Sequence, residues 1–259
     1  MSFDLVICMP STGDNDSFDI GRHIKEKYEH IPIVILTPFS HGITKRIINE
    51  DLSAFEYVFC WLGNTNLILS IIKLIEDKMN LEHDIREAGV QMILLVEDSV
   101  RFYSSILPNL YNYILEQSKN FSKEALNRHA ATMRMRGRPK VVLARTYEEA
   151  QKLYDKYSNN TLGVISDARF PLKSAAKAFG NKVETEAKPK HRTDTFGREK
   201  CPDAGLQLFR YIRKNDPFVP LILESSESDN RAKAEAEGFR FVDKNSKKMS
   251  VDLRRLMEE

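Results

Sequence analysis

The chain has 259 residues, 42% hydrophobic and 29% charged, with a net charge of +2; this is the composition of an ordinary globular protein, and it gives no general drive toward nucleic acid or membrane. Three widely spaced cysteines (Cys8, Cys60 and Cys201) speak against a disulfide framework and fit a reducing cytosol. The segment after Met1 lacks the basic and apolar regions of a signal peptide, and charges break every apolar stretch before the roughly 18 residues of a membrane span, so a cytoplasmic protein is expected.

The run Asp4 to Met9 (DLVICM) reads as a buried strand, and Pro10-Ser11-Thr12-Gly13 as a loop. Ser17 to Tyr28 is predicted helical, with Phe18, Ile20, Ile24 and Tyr28 on one side. Ile31 to Thr37 is a second buried strand, Ile43 to Leu52 a helix, and Phe55 to Trp61 a third strand. Strands apolar on both faces, alternating with helices, imply a parallel sheet covered on both sides. From Asn66 to about Glu87 the spacing of Leu67, Ile68, Ile71, Ile72, Ile75 and Met79 predicts one long helix, ended by Gly89. The domain boundary is placed within it, near Met79. That gives a partial α/β half-domain over 1–79, a helical connector over 80–89 and a second domain over 90–259.

The second domain opens with strand Val90 to Val96, which runs into Glu97-Asp98-Ser99. Helix Val100 to about Ser118 contains Pro108, expected to kink it or mark a new first turn. The segment Lys119 to Lys140 carries Lys119, Lys123, Arg128, Arg134, Arg136, Arg138 and Lys140 against Glu124 alone. With few aromatics for base stacking, it reads as a solvated helical extension rather than a nucleic-acid surface. Strand Pro139 to Ala144 follows, then helix Thr146 to Tyr157, where Thr146 and Glu149 form a capping-box pattern. Strand Leu162 to Ser166 leads to Asp167 and Pro171. A long polar loop over 172–202 precedes helix Asp203 to Lys214, strand Val219 to Leu223, helix Asp229 to Glu237, strand Phe239 to Val242 and a helix from Ser250. Right-handed crossovers turn these five β/α units into a doubly wound parallel five-stranded sheet.

In such a sheet the functional crevice lies at the carboxyl ends of the strands. The first strand there ends in Glu97-Asp98, the third in Asp167, the fourth in Ser225-Ser226 and the fifth in Asp243-Lys244. An aspartate at one strand end is more often a turn former than a nucleophile; the argument rests on the convergence. Clustered carboxylates repel one another, and oxygen ligands with room for water suit Mg²⁺. A carboxylate beside Mg²⁺ can attack a phosphoryl group to give an acyl phosphate. Lys244 would share the charge of the phosphoryl oxygens, and the Ser225 hydroxyl would hydrogen-bond one of them.

The acidic pair, Asp-x-x-x-Pro over Asp167 to Pro171, the serine after a β-branched strand and the lysine after the last strand resemble the receiver domain of two-component response regulators, the CheY-like fold. The resemblance covers about residues 90 to 259. It implies Asp167 as phosphoacceptor, Glu97 and Asp98 as metal-site acids, and the backbone carbonyl of Arg169 as a further Mg²⁺ ligand. It also implies Ser225 as switch hydroxyl, Lys244 as phosphate-binding lysine and Phe241 as the aromatic that changes burial on phosphorylation. A histidine kinase or phosphotransfer protein would be the donor, and a regulated enzyme or output protein the target, with a homodimer also compatible; the module itself is then not an enzyme. Asn245 stands where receivers usually have proline, and Ser226 where alanine or glycine is common. The loop over 172–202 is much longer than a receiver needs. Its Lys188, Lys190, His191, Arg192, Arg198 and Lys200 either form a solvated flexible loop or screen the site, bind the phosphoryl group or recruit a partner. A haloacid dehalogenase-type phosphatase would want a second aspartate two residues after Asp167, where Arg169 stands.

The first half resembles the third, fourth and fifth strands of a receiver, with Met9 at the phosphoacceptor position and no lysine after the last strand. It reads as a pseudo-receiver, completed by packing on the second domain or another chain, or belonging to a longer parent. The runs LLVEDSVRFYSSILPNLY, MRMRGRPKVVLARTYEEA, SDARFP, DPFVPLILESS and FVDKNSKK resemble the amino-terminal regulatory region of phosphoenolpyruvate synthase-like proteins of the Bacteroidetes. This implies a chain that regulates, or was once attached to, such an enzyme, although no phosphohistidine or ATP-grasp segment is visible. The alternative is a phosphorylation-independent interaction or scaffold domain with a vestigial acidic site.

Overall fold

Strands built from unbroken β-branched and aliphatic runs have no face to give to water, so each must be covered on both sides. The computed structural model describes residues 3–10, 16–38, 47, 50–173 and 193–258, and its strands form two separate parallel sheets. The chain divides into two compact units, one of Met1–Glu76 with Ser99–Asn112, the other of Asp77–Asp98 with Tyr113–Glu259.

In the first unit β1 (Val6–Cys8), β2 (Ile33–Pro38) and β3 (Tyr57–Trp61) pair in that order, all parallel. Helix α1 (Ser17–Lys27) is capped by Asp16, whose carboxylate accepts the Phe18 N–H at 3.0 Å. Phe18 in turn meets Phe55 edge to face, 5.9 Å between centroids. The helix expected over 43–52 lies largely outside the described residues. Helix α2 (Asn66–Ala88) leaves the first unit at Glu76.

The outer edge of β3 is closed by a helix from later in the chain. In α3 (Val100–Lys123), Ser104 Oγ accepts the Cys60 N–H at 2.9 Å and the Tyr103 hydroxyl donates to the Val58 carbonyl. The rings of Phe59 and Tyr103 pack edge to face at 5.4 Å. Backbone groups that an edge strand would leave unpaired are thereby satisfied. Segment 99–112, which the sequence reading put in the second domain, therefore clusters with the first unit. Pro108 neither ends α3 nor restarts it, and the helix runs past Ser118 to Lys123. A proline removes one ladder hydrogen bond; burial of Tyr103, Ile106, Leu107, Leu110 and Tyr111 on the same helix outweighs that loss.

The second unit holds β4 (Met92–Val96), β5 (Lys140–Ala144), β6 (Thr161–Asp167), β7 (Leu221–Ser225) and β8 (Arg240–Asp243), in the order β5-β4-β6-β7-β8 and all parallel. Numbered within the unit this is 2-1-3-4-5, the doubly wound order that flavodoxin and CheY share, and the fold class expected from the sequence. One face of the sheet, with Leu94, Val142, Val164 and Leu223, packs against α5 (Tyr147–Tyr157), α6 (Ala204–Asn215) and α7 (Asp229–Ala236) through Tyr154, Phe209 and Ala234. The Thr146 hydroxyl accepts the Glu149 N–H at 3.2 Å, while the Glu149 carboxylate reaches back to the Arg145 N–H at 2.8 Å. This is the expected capping box, with its return bond one residue earlier than usual. Helix α8 (Met249–Glu258) closes the chain.

The basic segment divides in two. Helix α4 (Arg128–Arg136) has no buried residue, as a solvated extension should. Arg138 and Lys140 do not belong to that extension. Arg138 donates to both carboxylate oxygens of Asp77, at 3.0 and 2.6 Å, Asp77 also accepts the Val141 N–H at 2.9 Å, and Lys140 lies 2.7 Å from Asp84. The carboxylates come from α2, which the sequence reading treated only as an apolar stripe. No helix among the described residues is long and apolar enough to cross a membrane.

Candidate functional site

Register decides which polar groups meet. Val96 pairs with Ala144 on one side and Ser166 on the other, Asp167 with Glu224, and Ser225 with Asp243. The carboxyl ends of neighbouring strands are therefore level to within a residue, and Glu97, Asp98, Asp167, Ser225 and Lys244 emerge at one edge. The chain after Asp167 is fixed at once. The Pro171 and Leu172 carbonyls accept the N–H groups of Tyr147 and Glu148 at 3.0 Å each, which serves the otherwise unpaired first turn of α5. The Phe170 carbonyl accepts the Cys201 N–H at 3.0 Å. Helix α6 comes in so closely that a Cβ on Gly205 would lie 2.3 Å from the Asp167 backbone oxygen; only glycine allows that approach.

Lys244 is the hub. Its ammonium lies 2.9 Å from Asp167 Oδ1 and donates to Glu97 Oε2, with both Lys244 and Glu97 buried. Burial alone would lower the lysine, but Asp167, Glu97 and Glu224 around it more than offset this and hold it above its ordinary value. Burial drives the Glu97 carboxyl the other way, upward against the pull of Lys244. Oxygens of Glu97, Asp98 and Asp167 all come within 4.8 Å of one another. Asp98 Oδ2 is buried without a hydrogen bond. An oxygen-only set that includes a buried acceptor without a hydrogen bond fits a hard divalent ion such as Mg²⁺.

Ser225 is buried, and its Oγ accepts the Glu227 N–H at 3.1 Å and the Asn230 amide at 2.9 Å; among the described contacts its own proton is donated to nothing. Phe241 pairs with Leu223, packs on the core, and carries the Arg231 guanidinium 4.8 Å above its ring. The guanidinium of Arg169 pairs with Glu227 at 2.9 Å; its backbone carbonyl sits two residues beyond Asp167 in the loop. Asn245 donates to the Ser226 carbonyl at 2.8 Å and so ties the end of β8 to the loop after β7.

Within the loop, Lys188, Lys190, His191 and Arg192 lie outside the described residues. From Thr193 onward the chain is a small hairpin. Thr193 bridges Glu199, and Asp194 accepts the N–H groups of Phe196 and Arg198 and the Arg198 Nε, all within 2.9 Å. Gly197 takes the turn at φ +75°, a conformation that glycine alone adopts freely. This strap carries Lys200 to Asp98. The solvated-loop alternative does not hold for Arg198 and Lys200.

Two site residues were not singled out from the sequence. Glu224 sat just past the predicted strand Val219 to Leu223; β7 in fact runs to Ser225 and buries it completely. Neither of its carboxylate oxygens has a hydrogen-bond partner, and burial pushes it up to about 7 against the pull of Lys244. A charge inside the run LILESS was the available signal. Arg231 over Phe241 is the other, and nothing local marks it.

No protein-family model matches the chain, and no curated protein matches it. Among solved structures it is similar to a response regulator receiver domain protein from Clostridium thermocellum, at 19% identity and a TM-score of 0.36, over 65% of this chain and 92% of that one. It is also similar to a two component transcriptional regulator AraC from Clostridium phytofermentans ISDg, at 17% identity and a TM-score of 0.31, with the same coverage. The fold stands on the strand order of the sheet itself.

Proposed function

We propose that the second unit is a receiver module of two-component signalling, which accepts a phosphoryl group on Asp167 from a phosphohistidine donor. The observation that carries this reading is the Lys244 ammonium 2.9 Å from Asp167 Oδ1 beside the acids Glu97 and Asp98. An Asp167 oxygen attacks phosphorus, the P–N bond to the donor imidazole breaks, and the imidazole leaves with a proton. Lys244 then exchanges part of its carboxylate contact for a phosphoryl oxygen. Ser225 donates its unused proton to another such oxygen. Glu97, Asp98 and Asp167 are the side chains that would hold Mg²⁺, which when bound screens the charge on the phosphoryl oxygens. Movement of Ser225 would be passed through Asn230 to α7, and from Arg231 of that helix to Phe241.

In this reading the module is not an enzyme but a substrate of its donor. Its output is a partner or formerly fused enzyme of the phosphoenolpyruvate synthase type, supported by the sequence resemblance alone, with a second copy of the chain as a further candidate partner. Mg²⁺ and a small phosphoryl donor should give stoichiometric, hydroxylamine-labile phosphate that is lost in Asp167→Ala. Phosphate that persists in that variant would sink the assignment. Amide NMR with beryllofluoride should shift Ser225 and Phe241; the single tryptophan, Trp61, lies on β3 of the first unit.

One observation favours the second reading, a scaffold that works without phosphorylation. Lys200 already supplies Asp98 with a cation.

A further inference from the structure

Asp98 is completely buried, and a carboxylate in that position needs a positive partner. It has one in Lys200, whose Nζ donates to Oδ1 at 3.0 Å and lies 2.8 Å from Oδ2. The second contact is one of charge without a hydrogen bond, since Oδ2 has no hydrogen-bond partner. Burial pushes the Asp98 carboxyl up to about 6 even against the pull of Lys200. The lysine is not a wandering surface charge. Its neighbour Cys201 is bonded to Phe170, just beyond Asp167, and the hairpin before it is locked by Asp194. The ammonium and a divalent ion would compete for the same two oxygens.

We propose that Lys200 is the resident cation of the acid pocket, held on Asp98 by the Thr193–Cys201 strap, and that a divalent ion enters only by displacing it. This rests on the metal-site part of the receiver reading and adds the step that controls it. With Lys200 in place the burial of Asp98 is compensated without metal. When the ion binds, the ammonium swings to solvent, where its side chain already has partial access at 14% exposure. Lys200 is a positioning residue in this scheme, since it acts on the cation site and not on the reacting atoms. A lysine that merely braced the fold would stay paired whatever the metal concentration.

The first test uses the unaltered full chain. Lysine acetylation followed by mass spectrometry, with and without MgCl₂, should find Lys200 protected in the absence of the ion and reactive at saturation. Titration of MgCl₂ by calorimetry should then show Lys200→Gln binding the ion roughly ten- to a hundredfold more tightly, the range set by loss of one competing charge-assisted hydrogen bond. Lys200→Arg, which keeps the charge, should show no such gain. Continued protection of Lys200 at high Mg²⁺, or a Gln variant that binds no more tightly than the parent, overturns the proposal. Beryllofluoride added to each protein separates the two layers. An Asp167-dependent response without any gain in Lys200→Gln leaves the receiver standing and removes the displacement step. A gain without any such response supports the displacement step and removes the receiver.

Discussion

Replacing Glu224 by glutamine keeps the shape of the side chain and removes its titrating proton, which isolates one electrostatic contribution to stability. The carboxyl is wholly buried beside Asp167 and Lys244, and its pKa is raised from the ordinary 4.5 to about 7. A group raised in this way holds its proton longer in the folded chain than in the unfolded one. Its contribution is therefore complete below about pH 4.5 and is lost as pH climbs to about 7. At roughly 1.4 kcal/mol per unit, that interval amounts to about 3 kcal/mol, most of it between about pH 5 and pH 8. The assay is urea unfolding of both proteins across that range. Any fixed cost of burying the amide cancels when the difference between them is followed against pH. The Gln variant should gain about 2 to 3 kcal/mol on the parent from the acid to the alkaline end. A difference constant to within about 0.5 kcal/mol would show that Glu224 does not titrate in this range and would refute the reasoning.

Three further outcomes are expected. Asp77→Ala strips the buried partner from Arg138 and Lys140 and should cost about 3 to 5 kcal/mol in urea unfolding; a loss below about 1 kcal/mol would mean the cluster is solvated. Gly205→Ala places a Cβ against the backbone of Asp167 and should destabilise by about 1 to 3 kcal/mol, with amide NMR shifts centred on Asp167 and Ala168; unchanged shifts there would show that α6 yields instead. Arg231→Ala should lose about 0.5 to 1 kcal/mol of cation–π attraction and change the Phe241 ring resonances, and a spectrum identical at Phe241 would count against that contact.

The parts of this molecule that could be read from the sequence are those whose signal is local. Apolar runs located every strand of the second sheet, and the Thr146–Glu149 spacing marked the start of α5. The polar group that follows each strand could be read as well, because in a parallel sheet with level carboxyl ends those groups are brought together by the topology alone. The end of β7 could not be read, because it depends on a partner: Asp167 pairs with Glu224 and so extends the ladder past the last aliphatic residue. Lys200 meets Asp98 across a long separation in sequence through a hairpin that has no hydrophobic period to betray it. Arg138 and Lys140 looked like members of a solvated basic run, since the compensating Asp77 and Asp84 lie on a helix whose pattern advertised only its apolar side. Segment 99–112 follows the first strand of its sheet as any β/α unit would, and no local feature says that its tyrosine and serine finish the edge of the other sheet.

The bond between Phe170 and Cys201 also bears on how this chain can vary. The polypeptide leaves the sheet at Asp167, is pinned to α5 by Pro171 and Leu172, and on its return is tied through Cys201 to Phe170, three residues beyond the point of departure. Exit and re-entry thus share one fixed port. Closing a longer excursion at such a port is inexpensive, since each doubling of length adds only about 0.6 kcal/mol of entropy. Insertions and deletions can accumulate there, or a recognition peptide be grafted, without altering the register that holds Asp167. The bonds at Pro171, Leu172 and Cys201 thereby hold the exit from Asp167 independently of the length of chain joined between them.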